Sequence, residues 1–472
     1  PMAGDTQFDA IVVGARCAGA PLAADLAGRG LRVCLVDRGR FPSEVPSTHM
    51  IHPCGVARLA RLGLMDQLLA TEAPPLTRGS FVMDDVRIIA GPEVMARFEA
   101  PWLCIRRVVL DTLLARAAEE AGARVLTETA VEGLVVEDGA VRGVRTAQGV
   151  LRARLVVGAD GPNSAVARLA GSREYHVSEP GRLFLWAYFE GAESPAGYAT
   201  LGRVGDIGFL AMPTDGGLYM AGVALPMAQR RACLADTQAS LEQGLGRTGE
   251  VAEFLRPARR VGPVRVMARW HGYFRDAAGP GWVLVGDAGH FKDPTPAQGI
   301  ADALRQGERL AEAIGVGLDI GGLEDRLRDW WRWRDDDAWE MYWFATDMGS
   351  GRESPGIVAE MMLGLGAERG GAERFLRVLN HDIAPSRVFN PARLVRALSR
   401  TAIRRPARLS PMANDARNIV ADQVRRQRLR GRPVYSTSAS RPPHSTGRTA
   451  QRAAAQLRAG GRHSPHDRDV IP

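Results

Sequence analysis

Phe8-Asp-Ala-Ile-Val-Val-Gly14-Ala-Arg16-Cys-Ala-Gly19, followed by Leu31-Arg-Val-Cys-Leu-Val-Asp37, decides the fold. The first apolar run is short and continuous, as in a parallel strand buried on both faces. Residues 18–29 then space small and apolar side chains as a helix does, and the second apolar run ends on a carboxylate. Strand, glycine turn, helix and strand within about 30 residues is the size of a nucleotide-binding half-fold. In such a unit Gly14 makes the turn and Gly19 lets helix and strand pack closely. A pyrophosphate lies on the helix N-terminus, and Asp37 meets a ribose hydroxyl. Arg16 occupies the middle-glycine position, where a side chain crowds the phosphates unless it turns away or lends them charge. An incidental glycine turn is the alternative, but the spacing to Asp37 favours a nucleotide.

Two later strand ends extend the pattern. Leu155-Val-Val-Gly-Ala-Asp160 runs into Gly161-Pro-Asn-Ser164, with Arg168 beyond. Trp282-Val-Leu-Val-Gly286-Asp287 runs into Ala-Gly-His290-Phe-Lys292-Asp-Pro294-Thr-Pro-Ala297-Gln298-Gly299-Ile300. The spacing predicts an amphipathic helix over 107–121, stopped by Gly122, and strands near 124–127, 131–136 and 141–145. Alternating stretches at 182–189, 206–212 and 217–225 predict an antiparallel sheet in the middle third. After residue 300 the chain reads as helical to about 346, and 355–398 is mostly helical.

Composition sets the class. A chain of 472 residues with 45% hydrophobic and 24% charged side chains buries a sizeable core in two to three domains. The net charge of +8 is unevenly placed: residues 400–472 hold 16 arginines against four aspartates, a net +12, leaving the preceding 399 residues at −4. A strongly basic folded domain is excluded, and only a basic tail remains, expected to be disordered from about residue 431. Lys292 is the sole lysine. No apolar run reaches the length of a membrane helix, and the N-terminal stretch lacks the basic start of a signal peptide. The five cysteines (17, 34, 54, 104 and 233) are scattered without a C-x-x-C pair. They predict reduced thiols in a cytoplasmic protein with no zinc or iron–sulfur site.

Taken in order, the degenerate glycine turn, Asp160-Gly-x-x-Ser164-x-x-x-Arg168 and Gly286-Asp287-Ala-x-His290 through Gln298-Gly299 resemble the single-component flavoprotein monooxygenases of the para-hydroxybenzoate hydroxylase type. The resemblance spans about residues 7–345. It implies an α/β fold: a Rossmann-like FAD-binding domain of the glutathione-reductase type with an inserted antiparallel sheet and a helical C-terminal part. The FAD domain would comprise 1–80, 105–175 and 275–346. The substrate domain would comprise 81–104 and 176–274, followed by a helical part at 347–430 and the tail at 431–472. It further implies that Gly14, Arg16 and Gly19 face the FAD pyrophosphate, with Asp37 and Arg38 at the adenosine ribose. Arg107 would lie beside the phosphates or ribityl chain, Asp160 in FAD and NAD(P)H handling, and Gly286 and Asp287 at the ribityl. Pro294, Gln298, Gly299 and Ile300 would run past the isoalloxazine. Ala297 and Ala301 depart from the glycine and asparagine common in that family.

Thr48 and His49 lie in the loop that reaches the flavin in related proteins, and His49 or His52 is a candidate proton shuttle near neutral pH, a surface or helix-capping histidine being the alternative. Lys292 and Pro294 are further catalytic candidates. Phe209 and Pro213, on a middle-domain strand, are the expected substrate contacts. The tryptophans between 330 and 343 read as core before a substrate cage. The expected activity is NAD(P)H-dependent monooxygenation of a small organic molecule with O2, without membrane or nucleic-acid partners. Competing readings are a geranylgeranyl-reductase-like ene reductase and a non-catalytic FAD-binding protein with a nucleic-acid-associating tail. A flavin halogenase is disfavoured because Trp331-Arg-Trp333 continues as Arg-Asp.

Overall fold

The computed structural model describes residues 7–44, 47 and 49–436. Thr48 and most of the basic tail lie outside the described residues.

Five parallel strands form the first layer, in the order Trp282–Leu284, Gly149–Gly158, Phe8–Val13, Val33–Val36, Arg124–Leu126. The central strands are short apolar runs, and residues 10–13 and 33–36 are buried throughout. A helical face covers them: Gly19–Gly28 packs against both Arg107–Glu120 and Gly299–Ile320. The hairpin of Val131–Glu137 and Ala140–Thr146 continues antiparallel from the first half of Gly149–Gly158. Register places the functional turns: Val13 pairs with both Gly158 and Val36, and Gly158 pairs with Leu284. All four strands therefore end level, and the chain leaves one edge of the sheet at Gly14, Asp37, Asp160 and Asp287. Ligands of open α/β sheets collect at that carboxyl edge.

The middle sheet has seven strands, in the order Arg259–Met267, Arg182–Glu190, Tyr219–Pro226, Ile207–Pro213, Tyr198–Val204, Arg78–Met83, Val86–Ala90. It is mixed and not purely antiparallel as expected, because Tyr198–Val204 pairs in parallel with Arg78–Met83. Those two strands arrive from chain segments more than 100 residues apart, so no hairpin forces them antiparallel. The same pairing takes residues 78–80, expected in the FAD domain, into this sheet. One face of the sheet packs on the helix Thr237–Leu245; the other faces the FAD layer through Met50, Trp102, Trp186, Met212, Met220 and Ala297.

The helix Leu323–Met348 buries Trp330 and Trp339. Trp339 joins Tyr175, Phe274 and Tyr342 in a small aromatic core, so this part of the stripe is structural. Helices Gly356–Gly366, Gly371–Leu379, Pro391–Arg404 and Leu409–Leu429 form the C-terminal part. The expected start of disorder at 431 falls too early: Tyr435 bridges to Tyr175, its hydroxyl donates to Asp276 at 2.9 Å, and Arg173 stacks on its ring. An aromatic ring ending an arginine-rich run supplies the anchor that composition does not register.

Candidate active site

The glycine turn is as tight as its sequence demands. Gly14 has φ +104°, and a methyl group there would overlap the Ala159 carbonyl; one on Gly19 would overlap the Gly14 carbonyl. Asp37 ends its strand with Oδ2 accepting from the Ala15 N–H at 2.8 Å and Oδ1 accepting from the Gly39 N–H at 2.7 Å. Arg38 is exposed beside it.

Arg16 turns out of the turn. Its guanidinium donates to Asp111 Oδ2 at 2.8 Å and Ser43 Oγ at 3.0 Å, and it lies over the Phe41 ring. Arg107, at the start of its helix, donates to Asp111 Oδ1 at 2.9 Å and Ser47 Oγ at 2.8 Å. Asp111 is fully buried between them. Two guanidinium groups around one carboxylate leave net positive charge beside the turn, the donor set a pyrophosphate calls for. Burial opposes the charge on Arg107, but the nearby acidic groups, Asp111 and Asp287 among them, hold its pKa above the usual value.

Asp160 is committed elsewhere. Its carboxylate accepts from Ser164 Oγ at 2.5 Å and from the Ala165 N–H at 2.7 Å, capping the short helix Ala165–Leu169. Asp287 is different. It follows Gly286 (φ +62°), and its backbone carbonyl accepts from Tyr273, while its carboxylate has no hydrogen-bond partner among the described residues. Burial pushes that carboxyl up to about 7, against the pull of Arg107. An unpartnered acceptor at the carboxyl edge of the sheet fits a polyol such as the ribityl chain of FAD.

The Pro294–Ile300 loop enters the 22-residue helix Gly299–Ile320, whose exposed N-terminal Gly299 points its N–H dipole end outward. Ala297 has φ +54°, which explains why glycine suits that position. Ile300 is buried beneath the loop. Gln298 points inward, donating to the Leu379 carbonyl at 2.6 Å. Lys292 is buried too, its Nζ 2.5 Å from Asp302. A catalytic amine facing the flavin is therefore not what the structure provides at Lys292.

His49 and His52 separate in role. His52 is fully buried, with Nε2 3.0 Å from the Pro296 carbonyl and Nδ1 accepting from the Trp102 indole at 3.2 Å. Burial pushes it down to about 3, so it stays neutral and serves packing. His49 stands between the cofactor side and the sheet, its Nε2 hydrogen-bonded to the Tyr188 hydroxyl. Burial first, then the charge of Arg107, pushes His49 down to about 3 as well. It pairs with the Tyr188 hydroxyl as a neutral ring and carries no charge near neutral pH, contrary to the sequence expectation. Arg106 completes the group: it donates through its backbone N–H and Nε to Asp215 at 2.6 and 2.8 Å, with its guanidinium 5.8 Å from the Tyr188 ring centre.

Sequence reasoning missed Tyr188, Arg106 and Asp215, which converge from distant segments without a local motif. It also chose the wrong parity on one strand. Phe209 faces the cluster that backs the sheet, while Leu210 and Met212 face the FAD layer. Pro213 ends that strand two residues before Asp215.

A family model described as an FAD binding domain matches residues 7–342. The chain belongs to this FAD-binding family. FAD binding therefore rests on the family and on the fit of the turn, the arginine pair and Asp287. Among curated relatives, 6-methylpretetramide 4-monooxygenase of Streptomyces rimosus is 28% identical over 354 residues, covering 70% of this chain and 80% of that protein. A digeranylgeranylglycerophospholipid reductase of Methanocella arvoryzae is 28% identical over 342 residues, covering 67% and 80%. The solved myxobacterial chondrochloren halogenase superposes with a TM-score of 0.66 at 22% identity, over 81% of this chain and 98% of that one, and supports the fold. Its relatives thus include an oxygenating and a reducing enzyme, and this member of the family is an FAD-dependent oxidoreductase.

Proposed function

We propose that the protein is an NAD(P)H-dependent FAD monooxygenase that hydroxylates or epoxidises a small aromatic, polyketide or other natural-product molecule. The observation that carries this reading is the pair of buried His49 and half-buried Tyr188, beside an apolar sheet face. FAD, when bound, supplies hydride acceptance and oxygen activation. The chain's own residues supply the rest. Arg16 and Arg107 offset phosphate charge, and the Gly299 helix start presents N–H groups to an anionic flavin edge. Met50, Trp186, Met212 and Met220 exclude water from the reacting groups. A substrate hydroxyl placed at Tyr188 Oη gives up its proton as Tyr188 passes its own to His49 Nε2 and His49 releases the one on Nδ1, so Tyr188 and His49 end neutral and the charge stays on the substrate oxygen. A single nucleotide-binding fold among the described residues fits NAD(P)H docking transiently.

The test is turnover by the purified flavoprotein. NADH or NADPH oxidation stimulated by phenols or polyketides, with oxygen consumed and a hydroxylated product, supports the reading. Oxygen-independent reduction of an alkene overturns it in favour of an ene reductase. That second reading draws on the digeranylgeranylglycerophospholipid reductase among the relatives.

A further inference from the structure

Three consecutive residues of the C-terminal part with buried side chains, at the end of the helix Gly371–Leu379, each contact the FAD domain. The Leu379 carbonyl accepts from Gln298 in the cofactor loop at 2.6 Å. Asn380 Oδ1 accepts from the Cys54 N–H at 2.9 Å. His381 Nε2 lies 2.7 Å from Asp302 Oδ1, close but not aligned as a hydrogen bond, while Asp302 Oδ2 meets Lys292 Nζ at 2.5 Å. Asp302 sits in the first turn of the helix that begins at Gly299, and Lys292 opens the loop that leads to it. The turn thus holds the loop directly at Gln298, meets Asp302 just beyond its end, and reaches Lys292 at its start through Asp302. That turn lies beyond residue 342, where the family match stops.

Local chemistry says that the grip has a purpose beyond packing. A buried Lys–Asp–His group is a poor way to gain stability compared with apolar side chains of the same volume, and its best-attested use is to fix one geometry. His381 also holds φ +63°, a left-handed conformation uncommon outside glycine that asparagine, aspartate and histidine adopt most readily. Burial would raise the Asp302 carboxyl, but Lys292 and His381 hold it well below the usual range, so its charge is retained.

We propose that the turn at residues 379–381 is a latch on the cofactor loop, in which Asp302 and His381 act as positioning residues that couple FAD binding to docking of the C-terminal helical part. With the latch closed, the Pro294–Gly299 backbone is already in place when FAD arrives. Released, the loop must be ordered on binding, and affinity falls by that cost. Coupling is reciprocal, so FAD in turn tightens the C-terminal part against the body. The inference rests on FAD binding and is independent of the oxygen chemistry proposed above.

The test uses the full chain stripped of FAD. FAD is titrated back while flavin fluorescence is followed, and tryptic cleavage within residues 347–430 is timed with and without FAD. In the wild type, FAD slows that cleavage. His381→Asn tolerates the left-handed backbone but is too short to reach Asp302; it weakens FAD binding about tenfold and abolishes the protection. His381→Gln, which restores a donor, recovers most of both. Gln298→Met removes the grip on Leu379 without touching the charges, shifts both readouts in the same direction, and keeps the test open if His381→Asn does not fold. FAD affinity unchanged in His381→Asn, or protection as large as in the wild type, overturns the latch. A wild-type chain that takes up no FAD overturns the latch and the cofactor assignment together.

Discussion

Two turns meet at the cofactor edge, and each carries a side chain where the related monooxygenases have glycine. At Arg16 the side chain is long enough to leave: it turns to Asp111 and Ser43, so the turn keeps its open face. At Ala297 the methyl has nowhere to go, and the backbone holds φ +54° regardless. The first departure is absorbed by a partner residue, the second by strain. A missing glycine thus means different things according to whether the glycine supplied space or backbone freedom.

Breaking the partner has the largest expected effect. Asp111→Ala leaves Arg107 buried beside Arg16 with no carboxylate, costing about 3–5 kcal/mol in urea unfolding, with FAD lost on purification. Tyr188→Phe touches neither turn and marks them off from the chemistry. It retains FAD, while turnover falls by about 10²–10⁴ if Tyr188 relays the proton. Asp287→Asn tests the polyol acceptor through pH. The folded carboxyl, raised to about 7, keeps its proton where the unfolded one has released it. Its contribution to stability is therefore present at acid pH and lost as pH rises through 7. Thermal melts of the apoprotein show a shallower decline from acid to neutral pH in the variant. Arg16→Gly breaks only a partly exposed pair, costing no more than about 1 kcal/mol with FAD retained. Ala297→Gly has the opposite sign, a gain of up to about 1 kcal/mol from relieved backbone strain. Equal signs for these last two would erase the contrast between the turns.

The parallel layer was legible because its information is local. The central strands are short apolar runs, each turn follows within a residue or two, and Asp37 and Asp287 end their strands in plain view. The active-site wall was not, because its members are set by register. A one-residue difference in parity sends Phe209 to the back of the sheet and Leu210 to the front, and both readings are equally apolar. Arg106, Tyr188 and Asp215 meet only after two strands and a helix start have been brought together. Asp160 and Asp287 both follow an apolar strand and a glycine, yet a serine four residues after Asp160 engages its carboxylate beside a helix start. His381 lies outside every motif and becomes visible only through Asp302.

Lys292 gives the latch a chemical reporter. It is the chain's sole lysine, and it is buried against Asp302. An amine-directed reagent therefore finds no ε-amino group on the closed protein, and a single one when the cofactor loop lifts away. Acylation at that one residue, followed by mass, counts opening events without any engineered label.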